Sequence, residues 1–189
     1  MNTTAQQIIE KGIELFSKKG YGNVGLNEIL TAANIPKGSF YYYFKSKEDF
    51  GLQVIDTYSK NTLVYLKKTL LNNKKSSKER LLAFFIEMAK IYTNNGYTEG
   101  CLLGNSSLEL GDISVQFAAK TSGELNKWQE VFEQCIREGQ ADGSIKSGFD
   151  TATLSNFILN SWEGTLVRMK SDKSDIAFKS FVSIITELL

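Results

Sequence analysis

The sequence predicts an all-α protein, with a small three-helix head followed by a larger helical body and about nine helices in total. Three observations carry this. Apolar residues recur three and four positions apart through nearly the whole chain, which is the period of a helix with one buried face. The polar breaks between these runs are short, and the single proline, Pro36, falls at one of them. Between Glu28 and Phe50, EILTAANIPKGSFYYYFKSKEDF reads as a helix, a tight turn, a two-turn helix and the start of a long one. At 189 residues and 42% apolar content, the chain can hold one large domain or two small ones.

The first helix is predicted over residues 3–19. Ile8, Gly12, Leu15 and Phe16 give its core face, with Ile9 and Ile13 beside it. Thr3 or Thr4 can cap its start. Lys18 and Lys19 oppose the helix dipole at its end, and Gly20 stops it. Residues 21–25 form a loop. In the second helix Ile29, Leu30 and Ala33 share one face. Asn34 tolerates the left-handed conformation that ends a helix, and Ile35 then folds back toward the core.

Pro36 lacks an amide donor and has a fixed φ, which suits the start of a helix and not its interior. The third helix can run only about two turns before Lys45 and Ser46. Ser46, followed by Glu48 and Asp49, is an N-cap signal for the next helix. Such a short helix is marginal by itself and needs a reason to exist. Phe40 and Phe44 are four apart and face the core together, and Tyr43 is read as core with them. Lys37, Gly38, Ser39, Tyr41 and Tyr42 are left on the other side or at the N-terminal end. This is the layout of a helix-turn-helix, whose second helix enters the DNA major groove by its N-terminus. Gly38 and Ser39 allow close approach, while tyrosine hydroxyls and lysines can bond phosphates. Taken singly, Lys45 and Lys47 also fit ordinary solvated charges.

The stretch GYGNVGLNEILTAANIPKGSFYYYFKSKEDF resembles the DNA-binding domain of the TetR/AcrR family of bacterial transcriptional regulators. The resemblance rests on Gly20-Tyr21, Ile29, Ala32-Ala33, Lys37-Gly38-Ser39, Tyr41, Tyr43-Phe44 and Ser46-Lys47-Glu48. Two positions depart from the pattern. Gly25 stands where a small hydroxyl residue more often caps the second helix, and Tyr42 stands where histidine is frequent. The resemblance implies a DNA-binding domain over 1–47 and an effector-binding and dimerisation domain over 48–189. It also implies a homodimer that acts on double-stranded DNA and a small-molecule effector. Lys37, Gly38, Ser39, Tyr41, Tyr42, Lys45 and Lys47 are then the DNA-binding candidates.

A long helix from Ser46 to about Leu71 carries Phe50, Val54, Tyr58, Leu63, Leu66 and Leu70. In the family this helix joins head to body, and its tilt changes the spacing of the heads. NNKKSS, residues 72–77, is a polar break, and Ser77 is expected to cap a helix over 78–94. That helix turns Leu81, Leu82, Phe85, Met88, Ala89 and Tyr92 inward. A short helix follows over about 101–110, and Asp112 is expected to start the next. Gly100-Cys101-Leu102 resembles a branch of the family in which Gly-Cys-Leu opens this helix and some members answer to electrophiles or oxidants. A thiol in the first turn of a helix sits where the dipole favours the thiolate. A cysteine beside Leu102 and Leu103 equally fits a small buried hydrophobe.

A helix over 113–138 carries Val115, Phe117, Ala118, Leu125, Trp128, Phe132 and Ile136, with Cys135 in its core face. A loop over 139–148 holds the Asp142-Gly143 turn. By family likeness, Phe85, Met88, Tyr92, Leu103, Phe117, Trp128 and Trp162 line an effector pocket with Cys101, although the same residues describe an ordinary core. Asp150 caps a helix over 151–170, and a last helix spans about 173–188. Its apolar stripe is wide for a lone surface helix. Family likeness assigns Leu154, Phe157, Ile158, Phe181, Ile184, Ile185 and Leu188 to a four-helix dimer interface, and burial within one chain is the other reading.

Composition excludes several functions. The chain has no histidine, which removes Ser-His-Asp and Cys-His catalysis and every histidine-bearing metal site. Two cysteines are too few for a disulfide framework. No phosphate-binding glycine loop follows a strand. Neither a catalytic role, a metal nor a cofactor is expected. No apolar run approaches the roughly 20 residues of a membrane span. MNTTAQQIIEKG lacks the basic-then-apolar signal pattern, so a cytoplasmic location is expected. The net charge is only +1, but residues 1–47 carry six lysines (11, 18, 19, 37, 45 and 47) against three glutamates (10, 14 and 28), a balance of +3. A helical interaction protein or small enzyme without DNA binding remains the alternative.

Overall fold

All regular structure in the computed structural model, which describes residues 4–72 and 74–189, is helical. Nine helices follow in order among the described residues: α1 (Thr4–Lys19), α2 (Leu26–Ala33), α3 (Lys37–Tyr43), α4 (Lys47–Leu70), α5 (Ser77–Asn94), α6 (Leu102–Leu110), α7 (Val115–Asp142), α8 (Thr151–Asp172) and α9 (Ile176–Leu188). The chain divides into two compact units. One comprises residues 1–61 and 101–124, and the other 62–100 and 125–189. The first therefore holds the three-helix head together with the start of α4, all of α6 and the start of α7. A head that closes at residue 47 in the sequence thus recruits two further segments in space.

The first unit packs around Ile8, Phe16, Val24, Ile29, Phe40, Phe44, Phe50 and Val54. Phe50 is the centre of its aromatic cluster, with ring centroids 5.8 Å from Phe16, 5.4 Å from Phe40 and 4.9 Å from Phe44. Gly12 lets α4 approach α1, since a Cβ there would lie 2.5 Å from the Phe50 ring. Gly20 ends α1 at φ +80° and Asn34 ends α2 at φ 53°, both as expected from residue type. Thr4 is already the first helical residue of α1, and the alternative cap, Thr3, lies outside the described residues. Leu102, at the start of α6, belongs to this same core.

The second unit is built on α5, α8, α9 and the later parts of α4 and α7. Phe85 is its hub, with centroids 5.2 Å from Trp162, 4.9 Å from Phe181 and 5.8 Å from Phe132. Phe84 joins this core although it lies outside the expected apolar face, whereas Leu82 is only half-buried. Ser76, not Ser77, caps α5: it forms a capping box with Glu79, two positions into the polar break. Ser77 is buried instead and accepts a hydrogen bond from Arg80 at 2.7 Å. Arg80 is itself buried, donates to the Leu70 carbonyl at the end of α4 and pairs with Glu138 at 3.0 Å. It thereby answers an open carbonyl at the C-terminus of one helix with a charge from the next.

Three boundaries shift in the body. α7 begins at Val115, where Ser114 accepts from the Phe117 amide, and not at 112 or 113. Val115 is exposed and not part of the core stripe. The helix runs on to Asp142, because Gly139 is tolerated where Ile145 folds over it, and Gly143 at φ +78° makes the stop. Asp150 caps α8 by accepting from the Thr153 amide at 2.9 Å, as its position foretold. α9 starts at Ile176, later than 173.

Candidate nucleic-acid interface

α3 owes its orientation to its buried side. Pro36 is the N-cap, with φ −71° and ψ 152°, and its carbonyl accepts from the Ser39 amide at 3.0 Å. Phe40 and Phe44 are buried, and Phe44 leaves the helix in an extended conformation. With that side pinned, the other is turned out. Tyr42 is 82% exposed and Tyr41 55%. Lys37, Gly38 and Lys45 are exposed and Ser39 is half-buried. No atom lies within 4 Å of where a Cβ on Gly38 would stand, so a ligand backbone can come close to the start of the helix. Tyr43 is also exposed, with its ring edge-on to Tyr42 at 4.9 Å. The expectation that Tyr43 is core is corrected: a two-turn helix can bury only one narrow stripe, and Phe40 and Phe44 fill it.

Lys47 also departs from expectation. Its ammonium donates to the Tyr21 carbonyl at 2.7 Å and sits 4.2 Å from the centre of the Tyr21 ring. Burial there lowers its pKa from the ordinary lysine value, opposed by the nearby Glu109 carboxylate. In this structure Lys47 is a tie within the protein and not a free phosphate ligand, because Tyr21 offers it both a carbonyl and an aromatic face. Ser46 caps α4 as expected, accepting from the Asp49 amide at 3.0 Å. Gly25 caps α2 without a side-chain hydrogen bond, so the missing hydroxyl leaves a real gap.

Tyr21 itself is the centre of a junction that the sequence did not disclose. Its ring packs edge-on against Phe16 at 5.3 Å and Phe117 at 5.1 Å. Its amide and that of Gly22 donate to the two oxygens of Glu109, at 2.9 and 2.5 Å. Ser114 donates to Glu48 at 2.7 Å in the same unit. Further along α4 and α7, Lys120 bonds Asp56 and pairs with Glu124 at 3.1 Å, and Ser59 donates to Glu124 at 2.8 Å. The Lys120–Glu124 spacing on one helix was a readable signal, but its partners lie more than sixty positions away.

The expected effector residues are split between the two units. Phe85, Tyr92 and Trp162 come together, Tyr92 and Trp162 having ring centroids 6.3 Å apart. Met88 is half-buried and Trp128 buried in this unit, while Leu103 and Phe117 are buried in the other. Cys101 is the N-cap of α6 and 5% exposed, with its carbonyl accepting from the Asn105 amide. Cys135 is fully buried in α7. Burial pushes its thiol up to about 11, against the lowering effect of the Arg80 charge. Neither cysteine forms a disulfide.

Of the expected dimer residues, Leu154, Ile158, Phe181 and Ile185 are buried within the chain's own fold, where Phe181 packs on Phe85 and Trp162. Phe157 and Ile184 are exposed and Leu188 is half-buried. Phe157, Gly164, Ala177 and Ile184 line an open apolar groove between α8 and α9. Among the described residues, no helix is long and apolar enough to cross a membrane.

A three-helix head that presents a short helix by a small, polar N-terminal end, joined to a helical body, defines a helix-turn-helix DNA-binding regulator. Two family models match the chain: "Bacterial regulatory proteins, tetR family" over residues 8–54 and "Tetracyclin repressor-like, C-terminal domain" over 77–185. The chain is 36% identical to the transcriptional regulator AcuR of Cereibacter sphaeroides, over 93% of this chain and 80% of that protein. It is 34% identical to the HTH-type transcriptional repressor DhaR of Mycobacterium sp., over 97% and 91%. Among solved structures, a TetR regulatory protein from Rhodobacter sphaeroides superposes with a TM-score of 0.91 at 34% identity, covering 97% of both chains. The reduced form of NemR from Escherichia coli has the same fold, with a TM-score of 0.92 at 23% identity over 98% and 96%. The chain belongs to the TetR family, and it is a DNA-binding transcriptional regulator.

Proposed function

We propose that this regulator is a repressor which binds a near-palindromic operator as a homodimer and leaves it when an effector acts on the body. The observation that carries the reading is the outer face of α3: Lys37, Gly38, Ser39, Tyr41 and Tyr42 are free to meet DNA while Phe40 and Phe44 anchor the helix. Lys45 adds a phosphate contact. Residues 1–47 supply the DNA contacts, and 48–189 the effector and dimer functions. The two-fold axis of a dimer matches half-sites one helical turn, or a multiple of it, apart. The kinship with the repressor DhaR supports repression over activation. The partner copy covers Phe157, Ile184 and Leu188 on α8 and α9. Such a regulator works where the genes are, in the cytoplasm.

The effector reading assigns Cys101 as the sensing thiol, modified by an electrophile. Its place as N-cap of α6 supports this, because helix N-termini favour thiolates. A second reading, a reversible apolar ligand, is favoured by the aromatic group Phe85, Tyr92 and Trp162. Selection of duplexes from a random pool, followed by titration of Tyr42→Ala, tests the DNA face. Because Tyr42 touches little else, the variant keeps wild-type helicity and oligomeric state and binds the selected duplex at least about tenfold more weakly. Unchanged affinity would remove α3 as the recognition helix.

A further inference from the structure

The carboxylate of Glu109 bonds two consecutive backbone amides in the loop between α1 and α2, at Tyr21 and Gly22, although 88 and 87 residues separate them in sequence. We propose that Glu109 is a positioning residue for DNA binding: it holds this loop, and through it α2 and the helix-turn-helix, in the arrangement that DNA accepts. The inference rests on the reading of α3 as the DNA-binding helix.

The geometry is that of a clamp. Both carboxylate oxygens are used, one on each amide, so the loop is fixed in rotation as well as in position. The fit is close: a Cβ on Gly22 would stand 2.6 Å from a Glu109 oxygen and push the carboxylate off its amide. From the other side Lys47 holds the Tyr21 carbonyl. The Tyr21–Gly22 peptide is thus gripped at its N–H from α6 and at its C=O from α4. α2 begins a few residues later at a cap that supplies no side-chain bond of its own. Its placement therefore depends on the loop before it. α6 is anchored to the head at its other end too, by Leu102 in the core. It is a rigid strut of about 10 Å between Leu102 and Glu109. Among the described residues Glu109 makes no hydrogen bond to α3; it acts through the loop and through Lys47, whose charge its carboxylate favours.

The test uses the full-length protein and the duplex that wild type selects from a random pool. Glu109→Gln is isosteric but places an NH2 group against one of the two amides. It also removes a negative charge from a DNA-binding unit, and long-range electrostatics alone would tighten binding. A positioning role predicts the opposite sign: affinity falls about tenfold at constant salt. Helicity and oligomeric state stay unchanged, amide exchange quickens in the 20–25 loop, and Glu109→Asp, which keeps the carboxylate, recovers part of the affinity. Affinity equal to or tighter than wild type in Glu109→Gln overturns the proposal. So does a loss that Glu109→Asp leaves unrepaired while loop exchange is unaltered. Failure of wild type to select any duplex would overturn the DNA reading instead, and with it this one.

Discussion

At the scale of single residues, exposure separates function from packing. Tyr42 and Phe40 are both aromatic and two positions apart, yet one is in solvent and the other is buried in the core of the head. The two cysteines divide in the same way. Cys135 is wholly buried with its thiol pushed up to about 11, so at pH 8 only about one in a thousand molecules carries the thiolate there. Because the unfolded thiol titrates near its ordinary value of 9.0, the group's contribution to stability is fully present below about pH 8 and is lost as pH rises toward about 11. Cys101 stands at a helix start and has 5% of its surface open. A thiol electrophile applied to the native protein at pH 8 is expected to modify Cys101 first and to spare Cys135, as peptide mass spectrometry would read. If Cys101 is the sensor, alkylation releases DNA from wild type and not from Cys101→Ser. Equal release from both proteins would move the effector to the aromatic group around Trp162.

At the scale of elements, most boundaries follow from caps that are local in sequence. Ser46, Asn34, Gly20 and Asp150 each do what their residue type allows. α2 lacks such a cap, because Gly25 has the extended backbone of an N-cap, φ −79° and ψ 156°, without a side chain to use. No atom lies within 4 Å of where its Cβ would be. Gly25→Ser therefore adds a hydroxyl cap and reduces unfolded-chain entropy without a clash. A gain of about 0.5–1 kcal/mol in chemical denaturation is expected. A loss of stability would show that the loop does not tolerate the added group. Where two serines adjoin, as at 76 and 77, sequence alone did not choose the cap. The choice fell to Arg80, which draws Ser77 into a buried hydrogen-bond group and leaves Ser76 to pair with Glu79.

At the scale of the molecule, α8 and α9 show how one apolar stripe serves two purposes. Half of it closes the protomer's own core, through Leu154, Ile158, Phe181 and Ile185. The remainder, Phe157 and Ile184, is 50% and 61% exposed, and in the proposed dimer it meets the partner copy. Burying the exposed half of either side chain would stabilise association by about 1 kcal/mol, and symmetry counts each twice. Phe157→Glu or Ile184→Glu should yield monomers in size-exclusion chromatography with light scattering, with far weaker operator binding and an intact helical spectrum. A dimer that survives both substitutions would place the interface elsewhere. The width of the stripe was legible in the sequence. Its division was not, because helical period gives a face but not what covers it.

What the sequence by itself determined is the local and the periodic. The helix count, the turn at Asn34-Ile35-Pro36, the buried pair Phe40 and Phe44 and the free N-terminal end of α3 all follow from residue type at fixed spacing. These features need only backbone preferences and burial of one face. Tertiary structure alone decided which charged groups are occupied. Lys47 reads as a phosphate ligand in sequence and is held by Tyr21 in space. Glu109 carries no local signal and is bound to the far end of the head. The reason is physical: a charge finds its partner by distance through space, and pairs 26 or 88 residues apart leave no period along the chain.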